Sequence, residues 1–293
     1  MGEALAIVAA MAFALGSVLQ QKGTVETEAT EDDPRFLIQI LHKPIWLAGA
    51  ISQAVGWVLQ AAALDRASLM VVQALSALSL VMALPLGMWL THQNIGRREL
   101  TGALLTLAGI VFFLSAGQPQ GGTSHASAAA WWTSSLVILA IALTLTAVGV
   151  RFKGAAKALT LGSAAGLAFG LQAAVTKTFV SEIGSGVLAL LTSWPVYVLI
   201  VSALAGFVLQ QSALKTGVLA PALASSNSVS LFASVVLGIA LYGETLSKSG
   251  GANVGSAYIG LAIAIGGIAL LAGAEPPSNT TAVNTTHSSP PPG

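Results

Sequence analysis

Nine apolar runs, each long enough to cross a bilayer, constrain this chain more than any other feature. A spanning helix needs roughly 20 mostly apolar residues. The candidates are Glu3–Gln20, Pro44–Leu64, Ser68–Leu90, Leu100–Ala116, Ala130–Val150, Leu159–Phe179, Gly186–Gln210, Val218–Tyr242 and Val254–Gly273. Charged residues fall almost entirely between them. Over the 293 residues, 55% are hydrophobic and 8% charged, against about 25% charged in a soluble domain. Lipid must therefore solvate much of this surface, and the fold class is an all-α integral membrane protein. Ala4–Leu19 reads as a retained first helix, because no basic residue precedes it and no small-residue cleavage site precedes Gln20.

Two segments stand apart from the spans. Residues 21–43 form an acidic loop with Glu26, Glu28, Glu31, Asp32 and Asp33, followed by a short apolar patch, Phe36–Leu41, suited to the interface. Residues 274–293 are rich in Pro, Ser, Thr and Asn and read as a disordered tail. With nine spans, Lys22, Arg35, Lys43, Arg97, Arg98, Arg151, Lys153, Lys157 and Lys215 share one side; Arg66, Lys177 and Lys248 lie on the other. Basic residues mark the cytoplasmic face. That places the N-terminus outside and the tail inside a plasma or inner membrane.

The spans also repeat. Gly56-Trp57-Val58-Leu59-Gln60 with Ala63-Leu64 recurs as Gly206-Phe207-Val208-Leu209-Gln210 with Ala213-Leu214. Upstream, Phe13-Ala14-Leu15-Gly16 and Lys22 echo Ala168-Phe169-Gly170-Leu171 and Lys177. Each half closes on a Gly-rich helix, Gly102–Gly109 and Gly255–Gly267. The layout is four helices (1–20 and 44–116), a linker helix (130–150) and four more (159–273). An odd offset of five spans inverts the second half, the build of a secondary transporter with its substrate site near the midplane.

Polar groups inside hydrocarbon are costly, so those present are functional candidates. Gln73, Ser76 and Ser79 lie on one broad face of the third span. The eighth span carries Ser226, Ser230 and Ser234 at i+4 spacing, with Ser225, Asn227 and Ser228 beside them. Gln73, Ser76, Ser226, Asn227 and Ser230 are the candidate substrate ligands, although small residues and back-bonded hydroxyls also serve plain helix packing. Gln60 and Gln210, near the ends of their spans, are candidates for gating or interface roles, as is Glu244, which closes the eighth span. Pro85 and Pro221 are expected to loosen their helices and free backbone carbonyls.

The pattern excludes several functions. The 293 residues contain no cysteine, so thiol catalysis and Cys-based metal centres are out. There is no phosphate-binding loop and no enzyme signature. The net charge of +1 gives no reason to expect nucleic acid. His42, His92, His125 and His287 lie in connections or the tail without ligand spacing. No metal site or cofactor is expected; the partners are a small-molecule substrate and the lipid bilayer, with a homodimer admissible.

Leu241-Tyr242-Gly243-Glu244-Thr245-Leu246, followed by Gly255, Gly260 and Gly266-Gly267, resembles the closing pattern of the EamA-like drug/metabolite transporter superfamily. In the first half His92-Gln93 stands where that pattern has its Gly-Glu pair, ahead of Arg97-Arg98-Glu99-Leu100-Thr101-Gly102. The first helix, ending Leu19-Gln20-Gln21-Lys22-Gly23, and the stretch from Trp46 to Ala63 resemble the nine-helix NIPA-like branch. The resemblance implies alternating-access transport of a small organic solute. Magnesium transporters of that branch carry a glutamate after the glycine of the second helix. Trp57 follows Gly56 here, so magnesium transport is the alternative rather than the leading expectation, alongside a non-transporting scaffold or lipid-handling role.

Overall fold

The computed structural model describes residues 1–25, 42–91, 96–120, 122–123, 126–185, 191–214, 216, 219–246 and 254–272. The interfacial patch expected at 36–41, most of the acidic loop and the tail lie outside the described residues. Ten α-helices are described: α1 (Gly2–Val25), α2 (Pro44–Leu64), α3 (Leu69–Ser76), α4 (Leu78–Thr91), α5 (Arg97–Gly117), α6 (Ala128–Gly149), α7 (Gly154–Ser181), α8 (Trp194–Leu214), α9 (Leu219–Tyr242) and α10 (Val254–Ala272). Seven stretches are long and apolar enough to cross a membrane, α3 and α4 together making one of them; α8 and α10 contribute shorter apolar segments. The chain is an all-α, multi-pass membrane protein by these helices. Trp89, Val58 and Trp132 are at least 70% exposed, as lipid-facing side chains should be.

Local sequence sets several boundaries. Pro44 opens α2, where a missing N–H costs nothing. Ser68 Oγ accepts from Val71 N at 3.2 Å and caps α3. Ser127 does the same for α6 through Ala130 N. α8 is described from Trp194, with Pro195 as its second residue; the expected start of that span at Gly186 lies outside the described residues.

The prolines act differently from the sequence expectation. Pro85 sits inside an unbroken α4. The third span breaks instead at Ala77, where Leu80 N reaches Ala77 O over a three-residue turn. Pro221 is the third residue of α9, in the first turn, where the backbone N–H has no intrahelical partner to lose. It therefore opens the helix rather than loosening it.

α7 is the central helix, with 67% of its apolar window buried, whereas α6 has 11% and is mostly lipid-facing. α7 packs on α6, α8 and α9; α1 packs on α2, α3 and α4; and α5 pairs with α10. The α5–α10 seam is backbone on backbone. A methyl on Gly109 would clash with the Ala264 backbone, one on Gly260 with Phe113, and one on Gly267 with Thr106. Small residues allow that approach.

The repeat appears in a specific contact. A Cβ on Gly56 would lie 2.7 Å from the Phe13 ring, and one on Gly206 would lie 2.6 Å from the Phe169 ring. Phe13 of α1 thus sits on Gly56 of α2 as Phe169 of α7 sits on Gly206 of α8. The helices in the two copies run in opposite directions. α1 starts beside the α2–α3 turn, since Gly2 abuts Arg66 and Ala67. α7 ends at that same end of the bundle, beside the residues described next.

Candidate functional site: a buried ion pair beneath a polar cleft

Gly243 follows α9 with φ +62°, a left-handed conformation natural to glycine. Its N–H donates to Ile239 O at 3.1 Å, and Glu244 N donates to Gly238 O at 3.0 Å. This turn folds Glu244 back over the end of α9. The carboxyl group is 1% exposed as a residue and fits a cradle without spare room, since a Cβ on Gly238 would meet Glu244 Oε2 at 2.6 Å and one on Gly122 would meet Glu244 Cγ at 2.9 Å.

Three donors converge on Glu244. Lys177 Nζ donates to Oε1 at 2.6 Å. The backbone N–H of Leu69 also donates to Oε1, and that of Met70 to Oε2 at 3.0 Å. Together with Ser68, Glu244 thus satisfies the first-turn N–H groups of α3. A carboxylate is favoured there, because a helix N-terminus carries roughly half a positive charge. The site ties α7 and α9 to α3.

Around the pair the packing is aromatic. Lys177 Nζ lies 4.9 Å from the centre of the Tyr242 ring, a cation–π contact. The Tyr242 hydroxyl donates to Ala174 O and receives the Thr178 hydroxyl at 2.9 Å. Trp131 of α6 meets Trp194 edge-on at 4.9 Å and Tyr242 at 6.4 Å. A two-residue antiparallel bridge, Pro119 with Leu246 and Gln120 with Thr245, joins the end of α5 to the segment after α9.

Above the pair lies a polar cleft of about 580 Å³, lined among others by Asp65, Arg66, Ser68, Gln120, Lys177 and Ser181. A smaller cleft of about 220 Å³, between Phe152, Lys153, Lys157 and Ser212, lies at the opposite end.

The substrate ligands expected from sequence sit elsewhere. Gln73 is buried in α3, which packs on α9. Ser76 accepts a 3.1 Å hydrogen bond from Gln60 Nε2. The backbone of Ser226 and Ser230 lies against Gly166 of α7, and Ser225 bonds back to Ala222 O at 3.2 Å. Asn227 is half-buried. None of Gln73, Ser76, Ser226, Asn227 or Ser230 lines either cleft. Among the described residues, Gln210, which matches Gln60 in the sequence repeat, has both amide atoms buried without a hydrogen-bond partner, and the hydroxyls of Ser228 and Ser234 have none either. Trp57, where magnesium transporters of the NIPA type carry glutamate, is 50% exposed on the outside of α2.

Sequence reasoning placed Lys177 and Glu244 at separate helix ends and missed their pairing. The usable signals were the Lys22–Lys177 echo and the Gly243-Glu244 turn.

Among known proteins, an uncharacterized protein of Corynebacterium glutamicum is similar, 29% identical over 245 residues that cover 82% of this chain and 83% of its own. No known family profile matches the chain. No solved structure matches it.

Proposed function

We propose that this protein is a secondary transporter that moves a small neutral or amphipathic solute by alternating access between two four-helix halves of opposite orientation. The observation that carries the reading is the repeated Phe–Gly contact, Phe13 on Gly56 and Phe169 on Gly206, made in helices that run in opposite directions. Inverted repeats of this kind place the substrate near the midplane where the halves meet. The halves are α1–α5 and α7–α10, with α6 as the linker. Nine of the 12 basic residues fall on one side of that layout, which orients the N-terminus to the outside and makes the Glu244 end the outer end. The resemblance of Gly243-Glu244 and the Gly-rich α10 to the EamA-like superfamily supports the same class.

In this reading the Glu244 cluster holds the outer end closed. It joins α3 of one half to α7 and α9 of the other. Gln73, Ser76, Ser226, Asn227 and Ser230, on the facing spans α3 and α9, would meet the solute as the halves part. Gln60 and Gln210 sit where each half must slide.

Uptake in proteoliposomes tests this. Across a metabolite panel, the wild-type protein should move at least one small solute, and Gln73→Ala and Asn227→Ala should each lower the rate. Unchanged uptake in both variants removes the midplane site; no uptake of any solute removes the transporter reading.

A further inference from the structure

The cleft at the Glu244 end has a cation, Lys177, at its floor. Glu244 is neutralised twice: by Lys177 at 2.6 Å and by the N–H groups of Leu69 and Met70 at the positive end of α3. The helix ends do not decide the balance, because the negative C-terminal ends of α2 and α7 reach the same cleft at Leu64 and Ser181 and offset the positive end of α3. The positive member of the pair is the one that faces the cleft, because Glu244 is sealed behind it whereas Lys177 lines the cleft. At the rim, Asp65 and Arg66 face each other at 3.6 Å, both half-exposed, and cancel.

The hydrogen bonding points the same way. A lysine ammonium has three donor hydrogens. Among the described residues, one hydrogen bond of Lys177 is accounted for, to Glu244. The ammonium also lies over the Tyr242 ring, and its remaining donor hydrogens face the cleft, where the oxygen of a ligand or of water can accept them. The cleft, at about 580 Å³, falls within the size range of small-molecule sites. Ser68, Gln120, Thr123 and Ser181 surround it with further polar groups.

We propose that this cleft is an oxyanion-binding site, in which the Lys177 ammonium receives a carboxylate or phosphate oxygen. The inference rests on the transporter reading only in making the cleft the outer mouth of the solute path, and it narrows the solute to one bearing such a group. The same oxygen chemistry is offered by a free solute and by an anionic lipid headgroup. Glu244 holds Lys177 in place from behind, so Lys177 is the binding residue and Glu244 a positioning residue.

The chain has no cysteine, which allows a direct test on the full-length protein. Ser181→Cys places one thiol in the cleft. The rates of its reaction with an anionic and a cationic methanethiosulfonate are each divided by that reagent's rate with free cysteine. The anionic reagent should react several-fold faster. Succinate or inorganic phosphate should slow labelling, and uncharged succinamide should not. Adding Lys177→Gln should abolish the preference and the protection, and Lys177→Arg should keep both. Glu244→Gln should increase the preference while Lys177 stays; this variant keeps the proposal testable if Lys177→Gln fails to fold.

Protection by succinate or phosphate in detergent assigns the site to a soluble solute. Protection only in nanodiscs containing phosphatidylglycerol assigns it to a headgroup. Equal rates for the two reagents, a cationic preference, or no protection in any of these conditions overturns the proposal. Labelling does not depend on transport. A charge preference without uptake in proteoliposomes would fail the transporter reading and leave the site standing; uptake without the preference would do the reverse.

Discussion

The α1–α2 pair and the α7–α8 pair share one contact and differ in how their polar groups are satisfied. Phe13 rests on Gly56 as Phe169 rests on Gly206. Gln60 donates to Ser76, yet Gln210, at the matching position, has no partner for either amide atom among the described residues. Lys177 is locked to Glu244. Its counterpart Lys22 is half-buried at the opposite end, and the first half carries Gln93 where the second has Glu244. The Phe–Gly contact therefore recurs, and the ion pair, among the described residues, does not. One end of the bundle is stapled by charge. At the other end, Gln210 keeps a hydrogen-bonding capacity that this conformation leaves unused.

The largest test of that difference is Glu244→Ala. It strands a buried ammonium and two helix-terminal N–H groups, and breaking a buried pair from one side costs about 3–5 kcal/mol. A thermal melt in detergent should fall accordingly. Glu244→Gln, which gives the second half the residue type of the first, should fall less, because the amide oxygen still accepts from α3. Equal melts for wild type and Glu244→Ala would show that the pair holds nothing together.

Next come Phe13→Ala and Phe169→Ala. Each empties the same kind of contact, so each should cost about 3 kcal/mol, with the two melts dropping by similar amounts. A drop in one and none in the other would break the match between the halves.

The glutamines should part company. Gln60→Leu removes a hydrogen bond and should cost about 1 kcal/mol. Gln210→Leu removes an amide that has no partner and should be neutral or stabilising by a similar amount. Two losses of equal size would erase the asymmetry. The smallest effect belongs to Arg66→Ala. Its exposed contact with Asp65 at 3.6 Å should be worth less than about 1 kcal/mol, visible as a melt within error of wild type.

Seven of the nine expected spans were legible because lipid demands long apolar runs, and the Phe–Gly contacts were prefigured by the spacing of Phe13, Gly56, Phe169 and Gly206. Single-residue features were harder to read. Pro85 looked like a break and is not one, because the rest of α4 carries the helix through it, while Ala77, an unremarkable residue in sequence, interrupts the span. Pro221 looked disruptive although the expected start of its span, Val218, already put it in the first turn of α9. Lys177 and Glu244 were both visible as charges at helix ends. Nothing local could reveal that the turn at Gly243 folds one inward onto the other, or that α3 arrives with its N–H groups free to join them.

That junction also sets an order of assembly. Glu244 lies 67 residues after Lys177 and 175 after Leu69 in the chain. During synthesis from the N-terminus, α3 and α7 both exist before the residue that completes them. Until α9 emerges, the first turn of α3 relies on Ser68 and water, and Lys177 must stay near water. The last carboxylate to be made thus closes two earlier helices at once. A chain cut between α6 and α7 would leave its first fragment waiting for a cap that only the second can supply.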